Sequence, residues 1–228
     1  MTDSKNNLIS ETLMEATNAF PPPRVLTGLP ALDSAFGELN NTKGTRVGTM
    51  NMIVYKLQSQ VEEIRDIFWT NIQVDNKEVF FLEPEELEEG KAQQPGVLYY
   101  NEYLRLVHLF MTVLPNMVHT RGGEGSVFVI RLSQYASMIV DGFNAMKLEN
   151  LIRAFRCRLQ EQNKTVFFIL SGRVFNIHSA FSLQSDTVMN VETLNIHTKV
   201  STEVLTALHF EIHKNKGGPY GKNIYTTA

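Results

Sequence analysis

Histidine and cysteine side chains are the first candidates for chemistry in this chain, because they ligate metals and act as bases or nucleophiles. The chain has six histidines and a single cysteine, Cys157. The histidines near predicted strands have no acidic or cysteine partner at ligand spacing; they are His178, His197, His209 and His213. We therefore expect ordinary core or surface histidines, no metal site and no disulfide. Spacing assigns no Ser-His-Asp or Cys-His centre, and Cys157 is expected to be a small buried apolar group on a helix.

Two groups of cationic side chains are candidates for contacts with phosphate. Arg153, Arg156 and Arg158 share one face of a predicted helix, and a solvated surface is the simplest interpretation. The second group, a candidate DNA or partner contact with solvated loop charges as the alternative, consists of Arg173, Lys214, Lys216 and Lys222. The formal net charge is −3, so binding to nucleic acid would require a local basic patch of this kind.

Strand-like and helix-like segments alternate along the chain from about Arg24, which predicts an α/β fold with a mostly parallel central sheet flanked by helices. A chain of 228 residues is long enough for one such domain, placed at 24–228. Eight strands are the predicted upper limit: Met50–Tyr55, Glu78–Leu82, Val97–Tyr100, Ser126–Leu132, Met138–Asp141, Thr165–Leu170, Val188–Val191 and Leu208–His213.

Apolar periodicity predicts three helices between these strands. One begins at the capping box formed by Ser59 and Glu62, a buried one covers 102–114 and is ended with the help of Pro115, and an amphipathic one covers 148–159. The acidic stretch Glu83–Pro95 is predicted to be an exposed loop. Residues 1–23 are predicted to be a flexible tail or linker. No apolar run approaches the length of about 18 residues needed to span a membrane, and no secretory signal is expected.

The segment Arg24–Gly37, RVLTGLPALDSAFG, resembles the entry of a RecA-type ATPase core, the superfamily that includes RadA and KaiC. In that family a similar run precedes the first core strand, which is followed by a glycine-rich phosphate loop and a helix. Ser185–Val188 resembles a strand start near the end of such cores, and His213–Gly221 resembles their closing hairpin. The resemblance implies a RecA-like three-layer fold over residues 24–228.

The phosphate loop departs from the family pattern. Such a loop needs glycines whose N–H groups surround the phosphates, a lysine for the terminal phosphates and a hydroxyl for Mg²⁺. The corresponding segment has no glycine and no lysine at its end, and includes Lys56, Gln58, Ser59, Gln60, Val61 and Glu62. Glu62 lies in the first turn of the predicted helix, where it would repel a triphosphate. Lys56, at the end of the preceding strand, is the candidate for a displaced phosphate ligand.

The family residues that hold Mg²⁺ and position water are also altered. Two alignments of the metal-binding (Walker B) strand are open. Val127–Arg131, favoured by its spacing to the next strand, puts Arg131 where an aspartate is needed, whereas Met138–Asp141 keeps Asp141 as a remnant acid. Glu85 is the candidate remnant of the catalytic acid, and Ser171-Gly172-Arg173 replaces the family's polar switch. The resemblance therefore implies a pseudo-ATPase with no cofactor and no catalytic residues.

This resemblance implies a non-catalytic RecA-like subunit of a heteromeric complex that assists homologous recombination and DNA repair. Degenerate recombinase paralogues, such as the small subunits of Shu-type complexes, are of this kind. The implied partners are a second RecA-like subunit and single-stranded or forked DNA, with no membrane, and the implied location is the nucleus, or the cytoplasm in a prokaryote or archaeon.

Two alternatives remain open at this level. One is a structural RecA-like subunit outside recombination, similar to those of Elongator or to KaiC-like regulators, and the other is a nucleotide-binding enzyme with an unorthodox site. In recombinase relatives a linker phenylalanine and an alanine three residues later insert into the next subunit. Phe20 is the candidate assembly anchor here, although Pro23 stands where the alanine is expected.

Overall fold

A computed structural model describes residues 23–37, 43–56, 61, 64, 78–85, 97–133, 135, 142–172, 175–197, 204–216 and 221–227. The strands are β1 (Arg24–Val25), β2 (Thr45–Arg46), β3 (Met50–Tyr55), β4 (Val79–Glu85), β5 (Val97–Asn101), β6 (Val127–Arg131), β7 (Thr165–Ser171), β8 (Thr187–His197), β9 (Val204–Asn215) and β10 (Lys222–Thr227). The helices are α1 (Pro30–Gly37), α2 (Leu106–His108, Leu109–Val113 and Leu114–Thr120 in succession), α3 (Gly142–Glu161) and α4 (Phe175–Gln184). Val61 and Ile64 are also helical.

The strands form a two-stranded sheet, β1–β2, and an eight-stranded sheet in the order β10-β9-β8-β3-β7-β6-β4-β5. Strands β8, β3, β7, β6, β4 and β5 are parallel, and β9 and β10 are added antiparallel at one edge. The predicted α/β class with a mostly parallel central sheet is therefore confirmed. Within the described residues, no helix is long and apolar enough to cross a membrane.

The central strands are buried because both faces of the sheet are covered. The face that carries Met52 and Phe168 packs against α2, α3 and α4, and the face that carries Ile53 packs against α1 and against Val61 and Ile64. Every residue of β3 and β7 is buried. This explains why these strands read as continuous apolar runs and not as alternating patterns.

The predicted upper limit of eight strands is wrong, since the described residues contain ten. Seven predicted strands lie in the large sheet, and the eighth, Met138–Asp141, lies outside the described residues. The additional strands are the two short ones, β1 and β2, and the edge strand β10, whose KNIYTT sequence is mostly polar. An edge strand buries little side-chain surface, so it does not need the apolar pattern on which the prediction depended.

Helix α2 begins at Leu106, four residues later than predicted, and extends beyond its predicted end. Pro115 is expected from the sequence to help terminate a helix over 102–114, but α2 continues through it to Thr120. The turn before the proline, Leu109–Val113, is a wider π-helical turn, in which the N–H of Leu114 donates to the carbonyl of Leu109. We attribute the continuity to this widening, because a proline ring in a regular helix clashes with the carbonyl four residues earlier.

Three predictions of exposure or burial are wrong. Glu83 is buried within β4 and is not part of an exposed loop, although 86–95 lie outside the described residues. Cys157 is exposed and not a buried apolar group. Arg156, assigned to the solvated face of α3, is largely buried, with only 18% of its side chain exposed. Helical periodicity indicates only the angular position of a residue around the helix axis. Burial also depends on which element packs over that position.

The Thr27–Asp33 segment of the RecA-like resemblance forms a local polar clamp at the start of α1. The buried Asp33 carboxylate accepts hydrogen bonds from the N–H and hydroxyl of Thr27, at 2.7 and 2.8 Å, and from the N–H of Gly28 at 3.2 Å. The N–H of Gly44 then donates to the Asp33 carbonyl at 2.7 Å, which fixes the loop before β2. The polar residues of this segment therefore satisfy backbone groups that the fold buries.

Gly44 is a position where only glycine fits, and we expect Gly44→Ala to lower the free energy of unfolding. Its φ is +80°, and a Cβ there would lie 2.4 Å from the carbonyl oxygen of Val25. The positive φ alone costs about 1–2 kcal/mol, and relief of the clash costs more. The matched control is Gly125→Ala, since Gly125 has a φ of +84° with open space around a Cβ. Equal midpoints for the two variants in urea unfolding would contradict the described packing of β1 on the Gly44 loop.

Candidate functional site

The carboxyl ends of the parallel strands β3 and β7 form the candidate site. Chain order reverses around β3, since β3 leads to the distant strand β4 while β7 leads to β8 on the other side. Val61 and Ile64, which follow β3, pack on one face of the sheet, whereas α4, which follows β7, packs on the other. Connections that leave neighbouring parallel strands in opposite directions open a crevice at their carboxyl ends, where α/β proteins bind ligands.

The ends of β3 and β7 approach each other closely at this point. The N–H of Gly172 donates to the carbonyl of Tyr55 at 2.7 Å. A Cβ on Gly172 would lie 3.4 Å from both that carbonyl oxygen and Cγ1 of Val54, which is at the limit of ordinary van der Waals contact. Tyr55 and Ser171 are buried. The last carbonyl of β3 is thus bonded to the neighbouring strand.

Lys56 lies directly after β3, and its ammonium forms an ion pair with the carboxylate of Glu192 on β8. Hydrogen bonding to Lys56 lowers the pKa of Glu192, and the same hydrogen bond raises the pKa of Lys56. Both side chains are substantially exposed, at 63% and 35%, so the pair contributes little to stability. The ion pair matters for the candidate site, because Lys56 is the cation that the sequence predicts at this strand end, and it already has a carboxylate beside it.

Arg131 lies at the end of β6, and its Nη2 is 3.4 Å from Oε2 of Glu83, two residues before the end of β4. Both side chains are largely buried, with 11% and 8% exposed. The hydroxyl of Tyr100 on β5 donates to the carbonyl of Arg131 at 2.9 Å and accepts the N–H of Ser133 at 2.9 Å. Burial raises the pKa of Tyr100 well above its usual range, so this hydroxyl remains protonated.

These two ion pairs give the candidate site its electrostatic character. In the described part of this edge, Lys56 faces Glu192 and Arg131 faces Glu83. A triphosphate with Mg²⁺ would require cations directed at the phosphates and carboxylates directed at the metal. Here, among the described residues, Lys56 and Arg131 each pair with a carboxylate of the same chain.

The remaining residues predicted for the nucleotide site are only partly described. Val61 is buried and helical, and Glu85 is exposed at the end of β4. The predicted residues outside the described part of the chain are Gln58, Ser59, Gln60, Glu62, Asp141 and Arg173, together with Phe20 in the tail. Lys222 lies in β10, but its side chain is outside the described residues.

Lys214 and Lys216, predicted as DNA or partner contacts, lie at the opposite, amino edge of the sheet, where β9 ends beside the start of β8. The Lys214 ammonium donates to the carbonyls of Ser182 and Leu183, at 2.6 and 3.2 Å, and so caps the carboxyl end of α4. Burial, followed by the charge of Lys216, lowers the pKa of Lys214. The structure therefore separates these lysines from Lys56 and Arg131.

Asp186 is a residue whose role sequence reasoning missed. Its Oδ2 accepts the N–H of Met50 at 3.1 Å, and its Oδ1 accepts Nη2 of Arg156 at 2.7 Å and lies 3.3 Å from Nζ of Lys216. The carboxylate therefore joins β3, α3 and β9 at the start of β8. The only sequence signal was its place in the Ser185–Val188 resemblance, which marks a strand start and carries no information about these partners.

Two of the predicted histidines, His209 and His213, form surface hydrogen bonds, whereas the side chains of His178 and His197 lie outside the described residues. Nε2 of His209 lies 2.9 Å from Oδ1 of Asn223, and Nε2 of His213 lies 2.7 Å from Nδ2 of Asn190 and 3.3 Å from a carboxylate oxygen of Glu211. The acidic neighbour of His213 was not expected from spacing. Among the described residues, no group of three or more His, Cys, Asp or Glu side chains could hold a metal ion.

Comparison with known proteins adds no family assignment. No protein-family model matches the chain, and no curated protein is significantly similar to it.

Proposed function

We propose that this chain is a RecA-like subunit that has lost the chemistry of ATP hydrolysis and works within a heteromeric complex assisting homologous recombination or DNA repair. The observation that carries the proposal is the pairing of Lys56 with Glu192 and of Arg131 with Glu83 at the carboxyl edge. These contacts use cations and carboxylates of the chain for each other, at the place where a RecA-type core is expected to bind nucleotide.

The positions of the resembling segments also support the proposal. Arg24–Gly37 contributes β1 and α1, and α1 packs against the sheet that β3 enters next. Ser185–Val188 leads into β8, and His213–Gly221 begins in β9 and ends directly before β10, which pairs with β9 in antiparallel fashion. We take the order of these segments along the chain, and the elements that they enter, as support for the RecA-like resemblance.

We expect the purified full chain to show no saturable binding of ATP with Mg²⁺ at micromolar concentrations. The physical reason is that phosphate binding at Lys56 would have to break the Glu192 ion pair and leave that carboxylate facing the anion. Equilibrium binding of a labelled nucleotide measures this directly, with an intact RecA-type ATPase as the positive control. Micromolar affinity that is lost in Lys56→Ala but kept in Lys43→Ala would show a working nucleotide site and contradict the proposal.

The partner defines the function of a subunit without chemistry, so affinity purification from the native cell is the second test. A co-purifying RecA-like recombinase paralogue, in a complex that binds single-stranded or forked DNA with steep salt dependence, is the expected result. A complex that binds tRNA, or no nucleic acid, would favour a structural role outside recombination. A monodisperse monomer without a RecA-like companion would contradict the proposal.

A further inference from the structure

A cleft lies at the amino edge of the parallel sheet, opposite the candidate nucleotide edge. It has a volume of about 450 Å³ and is bounded by β1, β2, the end of α3, the start of β8 and the end of β9. A space of this size accommodates a small organic phosphate or one nucleotide unit. Three cationic side chains line it: Arg24, Arg46 and Lys216.

The negative charge in the cleft is already engaged by the protein. Asp186 is the one carboxylate among the described lining residues, and its oxygens accept the N–H of Met50 and the guanidinium of Arg156. Nζ of Lys216 also lies 3.3 Å from Oδ1 of Asp186, so this carboxylate is shared by one lining cation and by Arg156, which is not itself in the lining. The described lining residues therefore carry a net positive charge.

Strand pairing places two of these cationic residues opposite each other. Arg24 and Arg46 are direct partners in the antiparallel pair β1–β2. Like charges directly opposite each other on paired strands are destabilising. Burial, together with the charge of Arg46, lowers the pKa of Arg24, and Nη1 of Arg24 donates to the carbonyl of Gly44 at 2.9 Å, which fixes the guanidinium in place. An anion bound beside these two side chains would reduce the repulsion.

The neutral polar groups of the cleft wall already bond within the protein. The hydroxyl of Thr49 donates to the carbonyl of Arg46 at 2.7 Å and lies 3.1 Å from the hydroxyl of Thr45. The end of α3 also borders the cleft, but its carbonyls at Leu159 and Gln160 already accept the N–H groups of Lys164 and Asn163. Arginine provides several planar donors that match the oxygens of a phosphate, and lysine adds a point charge.

We propose that this amino-edge cleft binds a phosphate group through Arg24, Arg46 and Lys216. The group can belong to a free phosphate compound or to a nucleic-acid backbone, and the same side chains would recognise both. The site is independent of the proposed pseudo-ATPase role, because it lies on the other edge of the sheet and requires neither ATP nor a partner subunit.

The test is thermal unfolding of the full chain in inorganic phosphate, compared with chloride at equal ionic strength. The wild-type midpoint should rise with phosphate concentration, because a ligand that binds only the folded state stabilises it by mass action. Arg46→Glu should weaken the apparent phosphate affinity by about tenfold or more, since it replaces a charge-assisted contact by a repulsive one. In phosphate-free buffer the same variant should have a higher midpoint than wild type, because the introduced carboxylate would attract Arg24.

Arg153→Glu is the matched control, because Arg153 is an exposed arginine of α3 outside the cleft. It should respond to phosphate as wild type does. A phosphate response equal to that of chloride, or one that persists unchanged in Arg46→Glu, overturns the proposal. Lys216→Gln provides an independent variant that should also weaken the response.

A single-stranded oligonucleotide then identifies the source of the phosphate. If it raises the wild-type midpoint, loses this effect in Arg46→Glu and competes with inorganic phosphate, the cleft binds a nucleic-acid backbone. If inorganic phosphate alone acts through Arg46, the cleft binds a small phosphate compound. The absence of an Arg46-dependent effect from both probes contradicts the site. Because these measurements involve no ATP and no partner, their failure leaves the proposed function to its own tests.

Discussion

Replacing Asp186 by alanine is expected to lower the free energy of unfolding by roughly 3–5 kcal/mol, the usual cost of removing one partner from a buried ion pair. The variant loses the acceptor for the N–H of Met50 and leaves Arg156 largely buried with an unbalanced charge. Nε of Arg156 already lacks a hydrogen-bond partner among the described residues, so the guanidinium has no alternative there. Urea unfolding followed by circular dichroism measures the change.

The matched control for Asp186 is another carboxylate paired with an arginine of α3. Glu149 bonds Arg153 at 3.1 Å, but both side chains are more exposed, so Glu149→Ala should cost at most about 0.5 kcal/mol. The double variant Asp186→Ala with Arg156→Met should cost less than the sum of the single changes, since it removes both charges. If Asp186→Ala is no more destabilising than Glu149→Ala, the junction does not have the role described.

Phe168→Ala is expected to lower the free energy of unfolding by roughly 3–5 kcal/mol, because it opens a cavity in a close-packed core. Phe168 lies at the centre of a cluster in which its ring centroid is 5.7 Å from that of Phe110, 6.2 Å from that of Phe155 and 5.1 Å from that of Phe181. The cluster joins β7 to α2, α3 and α4. Its loss therefore weakens the contact of every described helix on that face of the sheet.

Two comparisons isolate the effect of the cavity at Phe168. Phe168→Leu keeps most of the apolar volume and should be clearly less destabilising than the alanine variant. Tyr225 is an aromatic side chain that is 59% exposed and stacks on His209, so Tyr225→Ala should cost at most about 1 kcal/mol. Similar midpoints for Phe168→Ala and Tyr225→Ala in urea would show that the cluster is not the core of this layer.

The sequence was informative where burial alone determines the pattern. Strands β3 and β7 are covered on both faces, so their apolar runs predicted their existence and nearly their exact bounds. The sequence was uninformative where the position of a segment in the fold determines its structure. β10 is polar because it lies at an edge, and Pro115 lies inside α2 because the preceding turn is widened. Neither circumstance is encoded by local periodicity.

The only feature of the site's chemistry that the sequence could predict was the absence of the usual phosphate-binding residues. The missing glycines and lysine after β3 were visible directly, but the partners of the remaining charged side chains were not. Lys56 and Glu192 are 136 positions apart, and Arg131 and Glu83 are 48 apart. Such pairs are created by the strand order, which no local pattern specifies. For the same reason, the sequence did not indicate the role of Asp186 or the cleft at Arg46.

The location of β3 inside the sheet has a consequence for biogenesis. Its two neighbours are supplied by residues 166–171 and 187–191, so the strand leaves the ribosome long before either neighbour exists. Contacts between such distant parts of a chain slow folding, and an unpaired apolar strand is prone to aggregation. A nascent chain that stops before residue 166 would expose this segment on both edges, and chaperones that bind extended apolar peptides would be its natural protection during synthesis.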